Sequence, residues 1–513
     1  MQNQLLKYFI TTPIFYVNAR PHIGHVYSVL LADTQCRFQK LKRNRPKSTL
    51  FTTGTDEHGL KIQQASEREK FANPKDFCDE ISSEFKTTFD LFQVSTNDFV
   101  RTTEERHLKA VRHFWQDLSS KGYLQKTKYQ SWYCVQDETF LTEHQIDKEK
   151  KISLESGHPV EWAEEENYVF PLENFRQSIQ DWLKDTNVVQ SKTFQGNILN
   201  LLENPCPDLS VSRASSRLKW GIPVPNDSTQ TIYVWLDALV NYMTVCGYPD
   251  EMTNWPPDCH VIGKDILKFH AVYWPSFLLA AGLELPKQIF CHSHWTVNGE
   301  KMSKSKGNVV DPVQLAENLA TFEGLRYFLL RQGVPHFDTN YERDFLISVL
   351  NTDLSNTFGN LLNRVTAKSV NVDQMFHAGG DKLTSPEAAS VLQCLDTLLD
   401  KVENHYSDFN FYLGLEEIME CLRRVNLLVQ TEKPWELKKE GKLERLGAVL
   451  NLSLHSLRIC AILLQPIVPA MSDTVLTKLN VTERTFDAAT LDAIYKPSHA
   501  INPQKAMLFK KLV

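Results

Sequence analysis

Four times in this chain a short apolar run meets a break of glycine, aspartate or histidine and gives way to helix-like periodicity. The four are Lys7 to Val17 leading into His22, Thr49 to Thr53 leading into "GTDEHG", His260 to Gly263 leading into "KDILKFHAVYW", and Gln288 to His294 leading into "WTVNGEKMSKSKGN". Strands alternating with helices predict an α/β fold with a doubly wound parallel sheet. Ligands of such sheets sit beyond the carboxyl ends of the strands, which is where all four breaks fall.

The rest of the chain has a different texture. From Phe114 to Gly221 it is aromatic, rich in glutamate and turn-prone at "SGHPV" and "NPCPDLS", which predicts a domain inserted into the sheet fold. After Asp344 the pattern is purely helical: Phe345, Val349, Leu350, Leu354, Phe358, Leu361, Leu362 and Val365 recur at three- and four-residue steps. The expected division is 1–113 and 222–298 for the two halves of the catalytic sheet domain, 114–221 for the insertion, 299–344 for a lysine-rich loop region, and 345–513 for an all-α domain. No run approaches the roughly 18 consecutive apolar residues of a membrane span, so none is expected. A net charge of −6 means that a polyanionic partner has to be held by local basic patches. Ten scattered cysteines with no C-x-x-C pair suggest reduced thiols rather than a disulfide framework or zinc knuckle. The N-terminus turns strand-like within a few residues, leaving no room for a signal or transit segment.

Two motifs carry chemistry. "RPHIGHVY" places His22 and His25 on one face of a helix start, where free backbone N–H groups and a partial positive charge favour phosphate. Pro21 suits the opening of that helix, and Gly24 removes a side chain that would block a ligand against the first turn. "GEKMSKSKGN" carries Lys301 and Lys304 in a glycine-bounded loop before a helix start marked by Asp311 and Pro312. Lysine, a point charge on a flexible stem, suits phosphate charge that moves off with a leaving group. Alone, the histidines read equally as capping or core groups, and the lysines as a solvated loop.

Together, in that order and about 276 residues apart, the H-I-G-H and K-M-S-K-S motifs resemble the two signatures of class I aminoacyl-tRNA synthetases. "TTPIFYVNARPHIGH", "TGTDEHG", "VWLDALVNYM", "IGKDILKFHAVYWP", "VNGEKMSKSKGN", "DLSNTFGNLLNR" and "EKPW" extend the resemblance, over nearly the whole chain, to methionyl-tRNA synthetases. The resemblance implies a Rossmann-type catalytic domain, a connective insertion, a stem-contact region in 299–344, and a helical anticodon-binding bundle. It implies catalytic roles for His22, His25, Lys301 and Lys304, and an ATP site of Asn18, His22, Gly24, His25, Gly263, Asp265, Lys301 and Lys304. It implies a methionine pocket of Ile14, Tyr16, Asp56, Trp235, Ala238, Leu239, Tyr242, Phe269 and His270. A polarizable thioether packs well on aromatic edges, and a carboxylate pairs with an ammonium group. Asp265 can accept from ribose hydroxyls, or cap the helix that follows, or both. Asn360, Arg364, Pro434 and Trp435 are implied as readers of the anticodon of tRNA(Met), whose single-stranded bases can be stacked and hydrogen-bonded. Mg2+ is implied with ATP.

The expected reaction is activation of methionine by ATP to methionyl-adenylate and pyrophosphate, then transfer to the 3′ end of tRNA(Met). The chain departs from family members with zinc knuckles. Cys134 stands alone, with Asp137 where a second cysteine would be, so no structural zinc and no other resident metal are expected. A short C-terminus suggests a monomer without a membrane partner. The insertion phrases "WYCVQDETFLTE" and "LESGHPVEW" look most like the mitochondrial branch; the matrix is the expected compartment and the cytoplasm the alternative. Two other classes compete: a small-molecule nucleotidyltransferase, which shares H-x-G-H, and a catalytically silent RNA-binding paralogue.

Overall fold

The structure, a computed structural model, describes residues 7–43, 49–135, 138–141, 143–154, 156–185, 188–302, 307–376, 383–495, 498–504 and 506–513. Six strands form its central sheet: β1 (Tyr8–Tyr16), β2 (Thr49–Asp56), β3 (Asp98–Arg101), β4 (Val189–Gln190), β5 (Cys259–Gly263) and β6 (Ile289–His292). Their order is β3-β2-β1-β5-β6-β4, and every neighbouring pair is parallel. Tyr8–Tyr16 is buried along most of its length on both faces, as a strand sandwiched between helix layers must be. Its register with β2 shifts between Thr11 and Ile14, across Pro13, which has no N–H to give to a ladder. The strand order reverses between β1 and β5. That switch point opens a crevice at the carboxyl ends, flanked by Tyr16 on one side and Gly263 on the other.

Strand β4 falls inside the stretch expected to be the insertion. Helices Arg176–Leu183 and Lys192–Leu201 flank it, and their buried Ile179, Leu183, Phe194 and Ile198 join one apolar cluster with Leu236 and Phe277. A two-residue strand has no periodicity to read, and its membership of the main sheet depends on pairing with distant β6. The insertion's own sheet is antiparallel, in the order Leu209–Ser210, Glu161–Phe170, Gln125–Cys134, Thr139–Leu141. Cys134 is buried there among Leu141, Ile146 and Val160, while Asp137 lies outside the described residues. The helix Glu105–Ser120 runs through position 113 and packs on the helix α2 described below.

Helix α1 (Ile23–Arg43) follows β1, and α2 (Val234–Thr244) leads toward β5. Beyond residue 343 the described chain is mainly helical, with Pro386–Ser407, Phe411–Glu432, Leu443–Leu464 and Pro469–Lys478 as its longer members. The apolar stripe expected to begin at Phe345 begins one residue later: Phe345 is exposed and Leu346 fully buried. A π-helical stretch, Asn351–Gly359, then re-phases the helix so that Leu354, Phe358, Leu361, Leu362 and Val365 all face inward. Leu443–Leu464 has the length and mean hydropathy of a membrane span. Its apolar residues are interrupted by Asn451, His455 and Arg458, and almost all of it is enclosed by neighbouring helices, so it is the core helix of the bundle.

One apolar core joins the two halves, running from Val26, Leu30 and Phe38 of α1 to Leu398, Leu415 and Leu457 of the bundle. Arg326 pins the seam. Its guanidinium, 1% exposed, pairs with the buried Asp33 of α1 and donates to the carbonyls of Pro466 (2.8 Å) and Ile467 (2.6 Å).

Candidate active site

The first signature lies where β1 gives way to α1. The backbone N–H of His22 donates to Nδ1 of His25 (3.1 Å), that of Gly24 donates to Nδ1 of His22 (3.1 Å), and the two imidazoles stack with centroids 3.7 Å apart. A Cβ at Gly24 would come within 2.9 Å of the His22 ring. Glycine is therefore what lets His22 fold back over the first turn. Burial, reinforced by His294 and Lys301, lowers His22 to about 4, and burial, reinforced by His22, lowers His25 well below its ordinary range. Both imidazoles are neutral at pH 7, so toward a phosphate they act as neutral N–H donors.

The second signature is brought to the first. Strand Trp295–Val297 turns through Asn298 and Gly299, both at positive φ, and returns antiparallel as Glu300–Lys301. This two-residue hairpin holds Lys301 at the crevice, where it pairs with Asp265. Met302 packs against Gly24, its Cε 3.6 Å from where a Cβ would stand, and the N–H of Ile23 donates to the carbonyl of Val310 (3.2 Å). Beyond the loop, Asp311 caps the helix Pro312–Asn318 by accepting from the N–H groups of Val313 and Gln314. Lys304 lies outside the described residues. Asp265 occupies the first turn after Gly263, inside the short helix Lys264–Ile266, and its side chain makes no cap there; it faces His294 (3.0 Å) and Lys301. Against the cost of burial, His294 and then Lys301 hold its carboxyl well below the usual range. Asn18 is half-buried in the turn after β1.

Across the same crevice lie the side chains expected to hold methionine. Ile14 and Ala238 pack together, and Leu239 and Tyr242 are buried on α2. Trp235 and Phe269 stack with centroids 3.7 Å apart and planes at 12°. The Tyr242 hydroxyl meets Nε2 of His270 (2.7 Å), whose Nδ1 meets the carbonyl of Ile266 (2.9 Å) across a π-helical turn, Phe269–Tyr273. Asp56 ends β2 with a buried Oδ1 that has no hydrogen-bond partner. Burial, then the charges of Asp237 and Glu138, push its carboxyl well above the usual range, so an arriving cation would stabilise its ionised form.

A family model described as tRNA synthetases class I (M) matches residues 8–366, and one described as the anticodon binding domain of methionyl tRNA ligase matches residues 378–513. The chain belongs to the methionyl family of class I tRNA synthetases. The mitochondrial methionine–tRNA ligase of Bos taurus is 46% identical, over 98% of this chain and 90% of that protein; the mitochondrial methionine–tRNA ligase of Homo sapiens is 47% identical, over 93% and 84%. A solved structure of the Mycobacterium tuberculosis methionyl-tRNA synthetase in complex with methionyl-adenylate is 35% identical and superposes with a TM-score of 0.91, covering 98% of this chain and 100% of that one.

The residues expected to read the anticodon lie in the helical part of the chain. Arg364 lies 5.4 Å from the ring centroid of Trp435, Pro434 opens the short helix Pro434–Lys439, and Asn360 is exposed one turn before Arg364. The structure brings Arg364 against Trp435 with Asn360 exposed on the same helix, while Pro434 is buried. Sequence reasoning missed other residues at the catalytic crevice. His294 was not singled out, although it ends the fourth strand-to-break pattern. The Asn298-Gly299 hairpin that presents Lys301 was legible as an N-G turn but was not read as one. Glu138 reaches the crevice from the insertion and has no local signature.

Proposed function

We propose that this chain is a methionine–tRNA ligase whose residues divide the work as follows. Ile14, Ala238, Leu239, Tyr242 and the Trp235–Phe269 stack enclose the methionine side chain, with His270 fixed by Tyr242. Asp56 takes the α-ammonium group in a charge-assisted hydrogen bond. The methionine carboxylate oxygen then lies in line with the α-phosphorus of ATP and attacks it, forming the acyl–phosphate bond as the bond to pyrophosphate breaks. His22 and His25 donate N–H groups to the crowded α-phosphate in the transition state, and Lys301 and Lys304 neutralise the departing pyrophosphate. Gly24 and Gly263 give the nucleotide room, Asn18 lines its approach, and Asp265 accepts from ribose.

Among the described residues no group of three histidine, cysteine, aspartate or glutamate side chains gathers into a cage, and Asp265 is already engaged by His294 and Lys301. Mg2+ therefore enters bound to the ATP phosphates, as part of the substrate. Transfer of methionine to the 3′ end of tRNA(Met) follows, with Asn360, Arg364, Pro434 and Trp435 reading the anticodon. The mitochondrial relatives support placement in the mitochondrion, with the matrix as the compartment and a monomer as the working form. The reading keeps the division proposed above, with residues 171–202 of the insertion packed on the catalytic sheet.

The observation that carries the reading is the meeting of the two signatures at Gly24 and Met302. A silent paralogue has no need of that contact together with an Asp56 whose buried Oδ1 has no hydrogen-bond partner. The test is ATP–pyrophosphate exchange with each of the twenty amino acids and no tRNA. Exchange that requires methionine is the expected result; exchange with another amino acid, with none, or without any would remove the assignment.

A further inference from the structure

Glu138 belongs to the insertion, between strands Gln125–Cys134 and Thr139–Leu141, yet its carboxylate lies at the carboxyl end of the catalytic sheet. Oε2 accepts from the hydroxyl of Tyr16 (2.8 Å), and Oε1 accepts from the backbone N–H of Lys61 (3.1 Å). Lys61 stands in the first turn of the helix Leu60–Arg68, whose capping residue, Gly59, makes no side-chain cap. A carboxylate from another part of the fold thus caps the helix that follows Asp56, and the same group holds the hydroxyl of a pocket tyrosine.

The surroundings are built for this placement. Glu138 is 7% exposed and takes a positive φ. Its own carbonyl accepts from Arg213 (3.3 Å), whose guanidinium lies 4.3 Å from the Tyr233 ring and 4.8 Å from the Phe140 ring. A Cβ at Gly59 would meet the Tyr16 hydroxyl at 2.3 Å and the Glu138 carboxylate at 3.1 Å, so only glycine allows the three to converge.

We infer that Glu138 is a positioning residue for methionine recognition: docked from the insertion, it fixes the Tyr16 ring and the segment carrying Asp56 at the spacing the amino acid requires. The insertion thereby sets the shape of the amino-acid pocket. A hydrogen bond to a charged group is worth about 10- to 100-fold in an equilibrium constant. The inference rests on the methionine pocket proposed above, and the experiment separates the two.

The measurement is methionine-dependent ATP–pyrophosphate exchange by the full chain carrying Glu138→Ala, Glu138→Gln, Tyr16→Phe, Asp56→Asn, or Glu138→Ala with Tyr16→Phe. Glu138→Ala should raise KM for methionine about 10-fold or more, with kcat and KM for ATP within about twofold. Glu138→Gln, which keeps one acceptor oxygen, should fall between Ala and the unaltered chain. The double variant should be no worse than the poorer single one, as residues acting through one contact are not additive. An unchanged KM for methionine in Glu138→Ala, an equal rise in KM for ATP, or additive effects with Tyr16→Phe would overturn the inference. If Glu138→Ala fails to fold, Glu138→Gln and its combination with Tyr16→Phe decide by the same criteria. An Asp56→Asn variant with an unaltered KM for methionine would instead sink the pocket assignment itself.

Discussion

The two proposed recognition sites of this chain are built to opposite specifications. In the proposed amino-acid pocket several side chains are braced by another protein group: Trp235 by Phe269, His270 by Tyr242 and Ile266, Tyr16 by Glu138. In the anticodon site Trp435 is 37% exposed and Arg364 lies over its open ring. A substrate as small as methionine offers few atoms, so its pocket must be shaped before it arrives. A single-stranded base brings its own flat face and hydrogen-bonding edge, so an exposed platform suffices to meet it. Burial thus marks the site that recognises by shape, and exposure the one that recognises by stacking.

The comparison treats the ends as separate sites on one body, and Arg326 is the residue that makes them one. Its partners are Asp33 of the catalytic domain and carbonyls at the end of the core bundle helix. Arg326→Ala leaves Asp33 with only Arg37 and the Ser95 N–H as partners and removes the donor to Pro466 and Ile467, a loss of about 1–3 kcal/mol. Thermal and urea unfolding should show a lower midpoint, with exchange and tRNA charging failing together as the protein melts. A variant that melts normally would mean that the two ends are held by apolar packing alone.

At the catalytic end, His25→Ala removes one braced donor. Methionine activation should fall by about 100-fold or more if that donor serves the transition state, while the melting temperature changes little. Near-normal exchange would take His25 out of the chemistry and leave His22, stacked on it, as the sole histidine donor. At the other end, Trp435→Ala should leave exchange untouched and weaken tRNA charging by about 1–3 kcal/mol, the worth of one stacked base. A parallel loss of both activities would place Trp435 in the core and erase the contrast between the sites.

How much of this was legible depended on distance along the chain. The histidine and lysine signatures were readable because the chemistry dictates residue types within ten positions. The strand ends carrying Asp56, Gly263 and His292 were readable because parallel strands are uniformly apolar. Val189–Gln190 was not, since two residues have no period and their pairing to β6 exists only in the folded sheet. Glu138 was hidden for a related reason: it meets Tyr16 across 122 residues, through a docking that no local pattern encodes. Asp265 shows a finer limit. Its residue type fits a helix cap as well as a ribose acceptor, and only the fold places it inside the turn, facing His294 and Lys301.

Acid should separate the two ends most gently. Burial lowers His22, His270 and His292 to about 4 and holds His25 and His260 well below their ordinary range, and all five lie at the catalytic sheet. For each, the folded value lies below the unfolded one near 6.5, so the folded state favours the neutral ring. The stability this confers is full above about pH 6.5 and is lost as pH falls toward and through about 4. Asp33 and Asp237, held below the ordinary carboxylate range against the cost of burial by Arg326 and His58 respectively, lose their contribution only at lower pH. The histidine window therefore opens first. His292, whose Nε2 meets the Ser28 hydroxyl (2.9 Å), is the cleanest probe. In His292→Asn, the drop in unfolding free energy between about pH 7.5 and about pH 5.5 should be smaller than in the unaltered chain by about 1.4 kcal/mol, one proton's share. Hydrogen exchange should place the acid-induced opening at the catalytic sheet, with the helices that carry Trp435 still protected. Opening that began in the bundle, or a pH slope unchanged by the substitution, would show that the buried histidines do not make the braced site the acid-sensitive one.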